Sequence, residues 1–294
     1  MSLKGIDISA AQGSIDVSGL PVDFVVIKAT GGNGYVNPQC DTNYQQAKNG
    51  GKLRGVYHYY SDGFGGDDPI AEANWFVDNI QGYVGDAILV LDWERGGNPH
   101  VNEVDKAKAF LDHVVFRTGV KPVIYMSASL VSEMDWSPVI NGDYGLWVAA
   151  YPYNSTPITD FQIDPNLDPN PSWGAVGDIM WQFTSTGRIA GYYGNLDCDL
   201  FYGDANTWNA YKAVPVPVQP PVIPTVPTPE PAPIVPPVEP PIVIPPVVTP
   251  PVVTPPVVPQ PEPITPPVVP PKKNWLSRLI NAILYFFDIK VKKP

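Results

Sequence analysis

The chain has very few of the residues that build disulfide or metal frameworks. It is 294 residues long and contains two cysteines, Cys40 and Cys198, and three histidines. No Cys-x-x-Cys pair or histidine-rich stretch has the spacing of zinc ligands. We therefore expect two buried free thiols, no metal site and no cofactor. The start of the chain also lacks a basic region followed by an apolar run, which would indicate a secretory signal, so we expect folding in a reducing cytosol.

Glycine is missing from the last part of the chain, where proline is concentrated. All 25 glycines lie at or before Gly203, whereas 26 of the 38 prolines lie between Pro215 and Pro271. A segment with so few amide donors forms neither helix nor sheet, and without a glycine at every third position it is not collagen. We predict a semi-rigid polyproline II spacer. It has no lysine or arginine to anchor an SH3-type domain.

Basic residues are scarce before this spacer and frequent after it. Residues 1–213 carry 12 Lys and Arg against 25 Asp and Glu, and residues 272–294 carry six bases against one acid. The acidity of the first part disfavours nucleic acid, whose phosphates would be repelled, and is compatible with an uncharged or cationic substrate. We divide the chain into a folded domain (1–213), a Pro-rich linker (214–271) and a cationic C-terminal segment (272–294).

The C-terminal segment has no apolar run long enough to cross a membrane. At about 100° per residue, most apolar side chains of residues 275–289 fall on one half of a helix. That helix would be about 22 Å long, shorter than the ~30 Å hydrocarbon core of a bilayer. Five flanking lysines favour an anionic surface. We predict an amphipathic helix with peripheral membrane association; docking on a partner, or self-association, is the alternative.

Eight short apolar runs rich in Val, Ile and Tyr recur in the first 213 residues. Several are apolar on both faces, as expected of parallel strands between helices and a packed interior. The clearest helical periods follow at 69–80 and 102–118. The pattern predicts an α/β fold, a (β/α) barrel whose last strands are joined by loops. The candidate strands are 5–10, 24–30, 55–60, 87–94, 122–127, 146–151, 179–184 and 196–201.

Carboxylates lie at three of these runs, and barrel enzymes place their reactive groups at strand ends. Asp7 lies in the first run, Asp92 and Glu94 end the fourth, and Asp197 lies in the last. Because strand side chains alternate, Asp92 and Glu94 share a face and their carboxyls can converge. Such a pair does not readily ionise twice, so one acid can protonate a leaving oxygen. This chemistry is typical of a glycosidase, although clustered carboxylates also suit a divalent-metal hydrolase.

Aromatic residues near the same strand ends could form the rest of a sugar site. Pyranose rings present apolar C–H faces that pack on aromatic rings, although each ring taken alone is more often part of a core. His58, which lies between two of them, is more typical of a structural histidine. The candidates are Tyr57, Tyr59, Tyr125, Trp147, Tyr151 and Trp181, with Gln182 beside the last.

Seven motifs occur in a characteristic order and spacing. They are Gly5-Ile6-Asp7-Ile8-Ser9 with Gln12, Val26-Ile27-Lys28-Ala29-Thr30, Gly55-Val56-Tyr57-His58, Leu91-Asp92-Trp93-Glu94, Leu146-Trp147-Val148-Ala149, Trp181-Gln182 and Leu196-Asp197. Together they resemble glycoside hydrolase family 25, the lysozymes of bacteria and phages that cleave between N-acetylmuramic acid and N-acetylglucosamine in peptidoglycan. The resemblance covers residues 4 to about 212 and implies an irregular TIM-like (β/α)5(β)3 barrel.

The resemblance also implies residue roles. Glu94 matches the general acid/base, Asp92 the neighbouring carboxylate, and Asp7 and Asp197 the other two acids of the cleft, with Asp199 a second match for the last. The substrate-binding set is Lys28, Tyr57, Tyr59, Tyr125, Trp147, Trp181 and Gln182.

Two points within the resemblance remain open. The family pattern does not decide whether the second carboxylate attacks the sugar or orients the substrate's own 2-acetamido group. The Asp-x-Glu arrangement resembles substrate-assisted enzymes and favours orientation by Asp92. After Thr30 the family commonly has an acid, where this chain has Gly31-Gly32; this departure affects sugar contacts near that loop and leaves the four carboxylates unchanged.

Together these features predict a lysozyme, an N-acetylmuramidase, acting as a phage endolysin in cell-wall degradation and cytolysis. We expect a monomer that binds peptidoglycan glycan strands and no nucleic acid. It would be made in the host cytoplasm and reach the wall after release. Two alternatives remain: a non-catalytic wall-binding module, and a membrane-active protein that works through its C-terminal helix.

Overall fold

A computed structural model describes residues 2–63, 68–153 and 156–213 of the chain. The predicted linker and C-terminal helix lie outside the described residues. The strands are β1 (Ser2–Ile8), β2 (Phe24–Gly31), β3 (Tyr35–Val36), β4 (Leu53–Tyr59), β5 (Ile88–Asp92), β6 (Val123–Ser127), β7 (Leu146–Ala149), β8 (Asp178–Gly187) and β9 (Leu196–Tyr202). The α-helices are α1 (Cys40–Asn49), α2 (Pro69–Asn79), α3 (Val104–Thr118), α4 (Ala128–Glu133), α5 (Ser137–Ile140) and α6 (Ala205–Lys212).

Eight of these strands close into a barrel. From β1 through β2, β4, β5, β6 and β7 to β8, each strand runs parallel to the next. β9 is antiparallel to both β8 and β1 and closes the ring. The predicted α/β barrel is confirmed, and each of the eight predicted runs overlaps one of its strands. The two-residue strand β3, which pairs with the end of β2, was not predicted.

The two helices predicted from periodicity are present as α2 and α3. α2 begins with Pro69, and the side chain of Asp68 accepts a hydrogen bond from the amide of Ile70, which caps the helix. α3 ends at Gly119, whose φ of 72° is the left-handed conformation that glycine adopts easily. After β6 the described helices are short, with six residues in α4 and four in α5. No α-helix lies between β7 and β8 or between β8 and β9 within the described residues, so the expected loop connections of the last strands are confirmed.

Side-chain alternation divides the apolar residues into two cores. One lies between the sheet and the outer helices, and the other fills the barrel interior, where Phe24, Val90 and Phe201 are fully buried. Because β9 runs antiparallel, its end and α6 lie at the end of the barrel opposite to the carboxyl ends of the parallel strands. There Trp208 packs with ring centroids 4.6 Å from Phe24 and 4.9 Å from Phe201. Gly5 leaves room for this packing, since a Cβ at its position would lie 2.2 Å from the Phe24 ring.

Both cysteines are free and buried, as predicted. Burial raises the pKa of Cys40 to about 12, so its thiol stays protonated and unreactive at neutral pH. Within the described ranges, no helix is long and apolar enough to cross a bilayer.

The position of Trp208 predicts a graded loss of stability on truncation. Trp208→Ala should lower the free energy of unfolding by about 3–5 kcal/mol because it leaves a cavity under the barrel. Trp208→Phe should cost much less, since the ring is retained and the indole Nε1 has no hydrogen-bond partner among the described residues. Urea denaturation of the full chain measures both values. Equal losses for the two variants would contradict this packing.

Candidate active site

The four acids predicted to be catalytic line one cavity at the carboxyl end of the parallel strands. Its volume is about 250 Å³. Asp7 lies near the end of β1, Asp92 ends β5, and Glu94 follows two residues later. Asp197 is the second residue of its strand and so lies near the start of β9. It reaches the same end of the barrel because β9 is antiparallel and pairs Asp197 directly with Asp7. Among the described residues, no group of three or more His, Cys, Asp or Glu side chains is arranged to hold a metal ion.

The Asp-Trp-Glu segment has the alternation that the sequence predicted. Trp93 points away from the cavity and is fully buried, with its indole Nε1 donating to the carbonyl of Val101 at 2.9 Å. Its amide donates to the carbonyl of Tyr125 at 2.9 Å, which ties the segment to β6. Asp92 and Glu94 therefore both face the cavity on either side of an anchored residue.

Burial and mutual repulsion make it difficult for Asp92 and Glu94 to ionise together. The pKa of Asp92 is raised well above its usual range, first by burial and then by the charge of Glu94. Burial also raises the pKa of Glu94, against the opposing effects of the nearby Tyr59 hydroxyl and the charge of Lys28. One proton is thus retained by the pair to a higher pH than an isolated carboxyl would allow. A protonated carboxyl at this position can donate to a leaving oxygen.

Asp7 is held by a network centred on Gln182. The side-chain Nε2 of Gln182 donates to Oδ2 of Asp7 at 2.6 Å. Its Oε1 accepts from the hydroxyl of Tyr125 at 2.8 Å and from the hydroxyl of Tyr151. Because this amide is engaged on both sides, Gln182 orients Asp7. The pKa of Asp7 is raised by burial and then by Asp197, whose own pKa is raised to about 6 by burial and then by Glu94.

The structure separates the two aspartates of β9. Asp197 lines the cavity, whereas Asp199 lies deeper and is fully buried. The indole Nε1 of Trp147 donates to Oδ1 of Asp199 at 3.0 Å. Burial, followed by the charges of Asp7 and Asp197, raises the pKa of Asp199 well above its usual range. This geometry favours Asp197 as the acid that meets a ligand.

Most of the predicted substrate-binding residues line the same cavity. Tyr151, which was a candidate among the strand-end aromatics, joins them. The cavity-lining members of the predicted set are Lys28, Tyr57, Tyr59, Tyr125, Trp147 and Gln182.

The structure corrects the expectation for Trp181. On β8 Gln182 points into the barrel, so Trp181 points outward into the core beneath the helices. Its ring is fully buried and packs edge-on against Phe183, and its Nε1 donates to the carbonyl of Ala150 at 2.9 Å. Trp181 is therefore a packing residue with no surface available to a sugar.

His58 is a structural histidine, as expected. It lies on the outward face of β4 between the two tyrosines and is fully buried. Its Nδ1 is 2.8 Å from the hydroxyl of Thr30 and its Nε2 is 2.8 Å from Oε2 of Glu72.

One residue near the site, Asp62, was missed. Its Oδ2 lies 2.6 Å from Nζ of Lys28, and a Cβ added at Gly31 would lie 2.4 Å from the same oxygen. An acid from the turn that follows β4 therefore lies against Gly31, the position where the resemblance led us to expect one. Two features of the sequence could have indicated Asp62: the unexpected Gly31 after Thr30, and the position of Asp62 just beyond the predicted strand 55–60.

The burial of Asp199 predicts a pH-dependent gain in stability on removing its charge. A folded-state pKa above the ~3.9 of an unfolded aspartate makes ionisation unfavourable to folding, with no cost below pH ~3.9 and a growing cost as pH rises toward the folded-state value. Asp199→Asn keeps the acceptor for Trp147 and removes the charge. Its gain in unfolding free energy should be larger at pH ~8 than at pH ~4.5, with about 1.4 kcal/mol for each unit of pKa difference. Urea titrations at both pH values test this, and a variant less stable than wild type at the higher pH would contradict it.

Comparison with known proteins agrees with the barrel and its acidic mouth. The fold and the paired carboxylates are those of a glycoside hydrolase barrel, and the model of the family "Glycosyl hydrolases family 25" matches residues 6–192. The chain therefore belongs to this family, and the resemblance seen in its motifs is confirmed.

Individual relatives cover about 70% of the chain. The uncharacterized protein YegX of Escherichia coli is 31% identical over 211 residues, which are 69% of this chain and 70% of that protein. The bacterial lysozyme of Streptomyces coelicolor superposes with a TM-score of 0.57 at 27% identity, covering 71% of this chain and 96% of that one. The catalytic domain of an endolysin from a Listeria monocytogenes phage superposes with a TM-score of 0.53 at 28% identity, covering 72% of this chain and 98% of that one.

Proposed function

We propose that this chain is an N-acetylmuramidase that hydrolyses the β-1,4 bond between N-acetylmuramic acid and N-acetylglucosamine in peptidoglycan. The observation that carries the proposal is the pair Asp92 and Glu94, in which burial and repulsion retain one proton at the mouth of an aromatic-lined cavity. Family membership and the structural similarity to a bacterial lysozyme support the same substrate.

A second cavity supports action within a glycan strand rather than only at its end. It has a volume of about 250 Å³ and shares Glu94, Tyr125 and Tyr151 with the first. Sugars on both sides of the scissile bond would then have a surface to occupy, with Glu94 between them.

In the proposed reaction, Glu94 donates its proton to the glycosidic oxygen and later removes a proton from the water that completes hydrolysis. Asp92 orients the 2-acetamido group of the substrate, whose carbonyl oxygen attacks the anomeric carbon. Asp92 lines the cavity, so its carboxylate is placed to accept from the acetamido N–H. Water then opens the resulting oxazolinium ring.

Asp197, whose pKa is raised only to about 6, is proposed to carry the negative charge that stabilises the positive charge developing at the anomeric carbon, with Asp7 beside it. β9 lies four strands from β5 in the eight-stranded ring, so Asp197 faces Glu94 from across the barrel mouth. Asp7 is fixed beside Asp197 by Gln182. Preorganised negative charge in a water-poor site acts most strongly where positive charge appears in the transition state.

The role of Glu94 predicts a large and selective loss of turnover. Glu94→Gln keeps the shape of the side chain but has no proton to donate, so kcat on purified peptidoglycan should fall by about 10²–10⁴-fold. Release of soluble fragments by the full chain measures it. Glu133→Gln is the matched control, because Glu133 is exposed and pairs with Arg95, and it should retain wild-type turnover. Activity of Glu94→Gln within tenfold of wild type would refute the assignment, and wall binding without fragment release by wild type would favour a non-catalytic binding module.

The role of Asp92 predicts that no covalent glycosyl-enzyme forms. A chitooligosaccharide-type substrate with fluorine in place of the 2-acetamido group traps an enzyme that uses a carboxylate nucleophile. Intact-mass measurement after incubation should show the unmodified chain, because the attacking group belongs to the substrate. A glycosyl adduct mapped to Asp92 would show direct attack instead.

We also propose that the enzyme is a phage endolysin that degrades the host wall from within and associates with an anionic membrane through residues 272–294. The similarity to a phage endolysin domain supports the first part. The cluster of bases around an apolar run supports the second. Binding of the full chain to anionic but not zwitterionic vesicles would support the tail's role, and equal binding to both would oppose it.

A further inference from the structure

Lys28 is the only basic residue among the described residues that line the acidic cavity. Its side chain is 13% exposed, and Nζ lies 2.6 Å from Oδ2 of Asp62. Nζ also lies 4.6 Å from the ring centroid of Tyr59 and 5.2 Å from that of Tyr35, distances at which an aromatic face attracts a cation. The ammonium is thus held by an ion pair and two rings.

The position of Asp62 is determined by a buried network behind β4. The preceding residue, Ser61, has a φ of 62°, a conformation uncommon for a residue other than glycine. Its amide donates to Oε2 of Glu72 at 2.8 Å, and the same oxygen lies 2.8 Å from Nε2 of His58. Burial lowers the pKa of His58. A neutral ring that donates from Nε2 and accepts from Thr30 at Nδ1 satisfies both contacts.

The contact between Asp62 and Lys28 also requires glycine at position 31. A Cβ there would lie 2.4 Å from Oδ2 and 2.7 Å from Cβ of Asp62. Any larger residue would therefore displace the carboxylate from Lys28. Gly31 and Asp62 form one arrangement, in which the turn after β4 replaces an acid on β2.

We propose that Asp62 is a positioning residue for the reaction: by pairing with Lys28 and holding its ammonium on the face of Tyr59, it limits the positive field that Lys28 exerts on Asp92 and Glu94. The inference rests on the proposed role of Glu94 as the acid. Without the carboxylate, a negative charge is lost and the ammonium is free to approach Glu94. Both changes favour ionised Glu94 and so remove the proton that the reaction needs.

The charges around the pair act in the directions that this role requires. The charge of Lys28 lowers the pKa of Asp92 and of Glu94, and the charge of Asp62 raises both, while burial is the largest cause of each upward shift. The other titratable or charged groups that face Glu94 from the surrounding elements are Asp7 (β1), Tyr57 and Tyr59 (β4), Asp92 (β5), Tyr125 (β6), Tyr151 (after β7) and Asp197 (β9). Arg95 pairs with Glu133. All of these groups are unchanged in the variants below.

The direct test is the titration of Glu94 itself, followed by side-chain carboxyl ¹³C NMR of the full chain and assigned with Glu94→Gln. Asp62→Asn should lower the pKa of Glu94 by about half a unit or more, because the Lys28 ammonium is then free to approach. An opposite charge within ~4–6 Å lowers the pKa of a carboxyl by about 1–3 units. The alkaline limb of kcat/KM should move to lower pH by the same amount. Asp62→Glu retains the charge and should restore most of the shift. Gly31→Ala displaces the same carboxylate by another route and should reproduce the effect of Asp62→Asn.

The Lys28→Met background separates the direct loss of the Asp62 charge from the effect that Asp62 exerts through Lys28. If Asp62 acts through Lys28, Asp62→Asn should shift Glu94 by less than half as much in this background. An equal shift in both backgrounds, or an unchanged pKa of Glu94 in Asp62→Asn, would overturn the inference. The NMR titration needs no turnover, so an inactive wild-type chain would refute the proposed function and leave this test in place.

Discussion

The site depends on one geometric constraint: side chains alternate along each strand, and closing the sheet turns every second side chain into the barrel. β5 ends at Asp92, which points inward; Trp93 just beyond it points outward, and Glu94 faces the cavity again. On β9 the same alternation directs Asp197 and Asp199 inward, and the antiparallel pairing brings Asp197 beside Asp7. Asp7, Asp92, Glu94 and Asp197 come from three separate parts of the chain and meet at one barrel mouth. Their mutual repulsion is only weakly screened there, because they are close together and largely shielded from water.

Gathering like charges in a buried space costs stability, and the rest of the barrel offsets that cost. The interior below the site is apolar and is closed at its far end by Trp208. Neutral donors approach the acids from neighbouring strands, with Gln182 bonded to Asp7 and Trp147 bonded to Asp199. These contacts fix Asp7 and Asp199 without bringing a positive charge into the site. Burial keeps the pKa values of Asp92 and Glu94 raised, as the proposed role of Glu94 as an acid requires.

Much of this could be predicted because it follows from local pattern. Apolar runs marked the eight strands, and the Asp-Trp-Glu spacing placed Asp92 and Glu94 on one face. The assignment of Trp181 failed because Trp181 was grouped with its neighbour Gln182, although strand alternation puts the two on opposite faces. Trp181 shares its face with the apolar Ile179 and Phe183. Asp62 was missed because its contact with Lys28 joins residues 34 apart in sequence and depends on the positive φ of Ser61. The direction of β9, which brings Asp197 to the site, also depends on the whole sheet.

The proposed hydrolysis is decided by the identity of the new reducing ends that the full chain releases from purified peptidoglycan. After reduction with borohydride and acid hydrolysis, muramitol is expected as the new sugar alcohol, because the bond cleaved is on the reducing side of N-acetylmuramic acid. Glucosaminitol at those ends, or intact glycan strands after prolonged incubation, would contradict it.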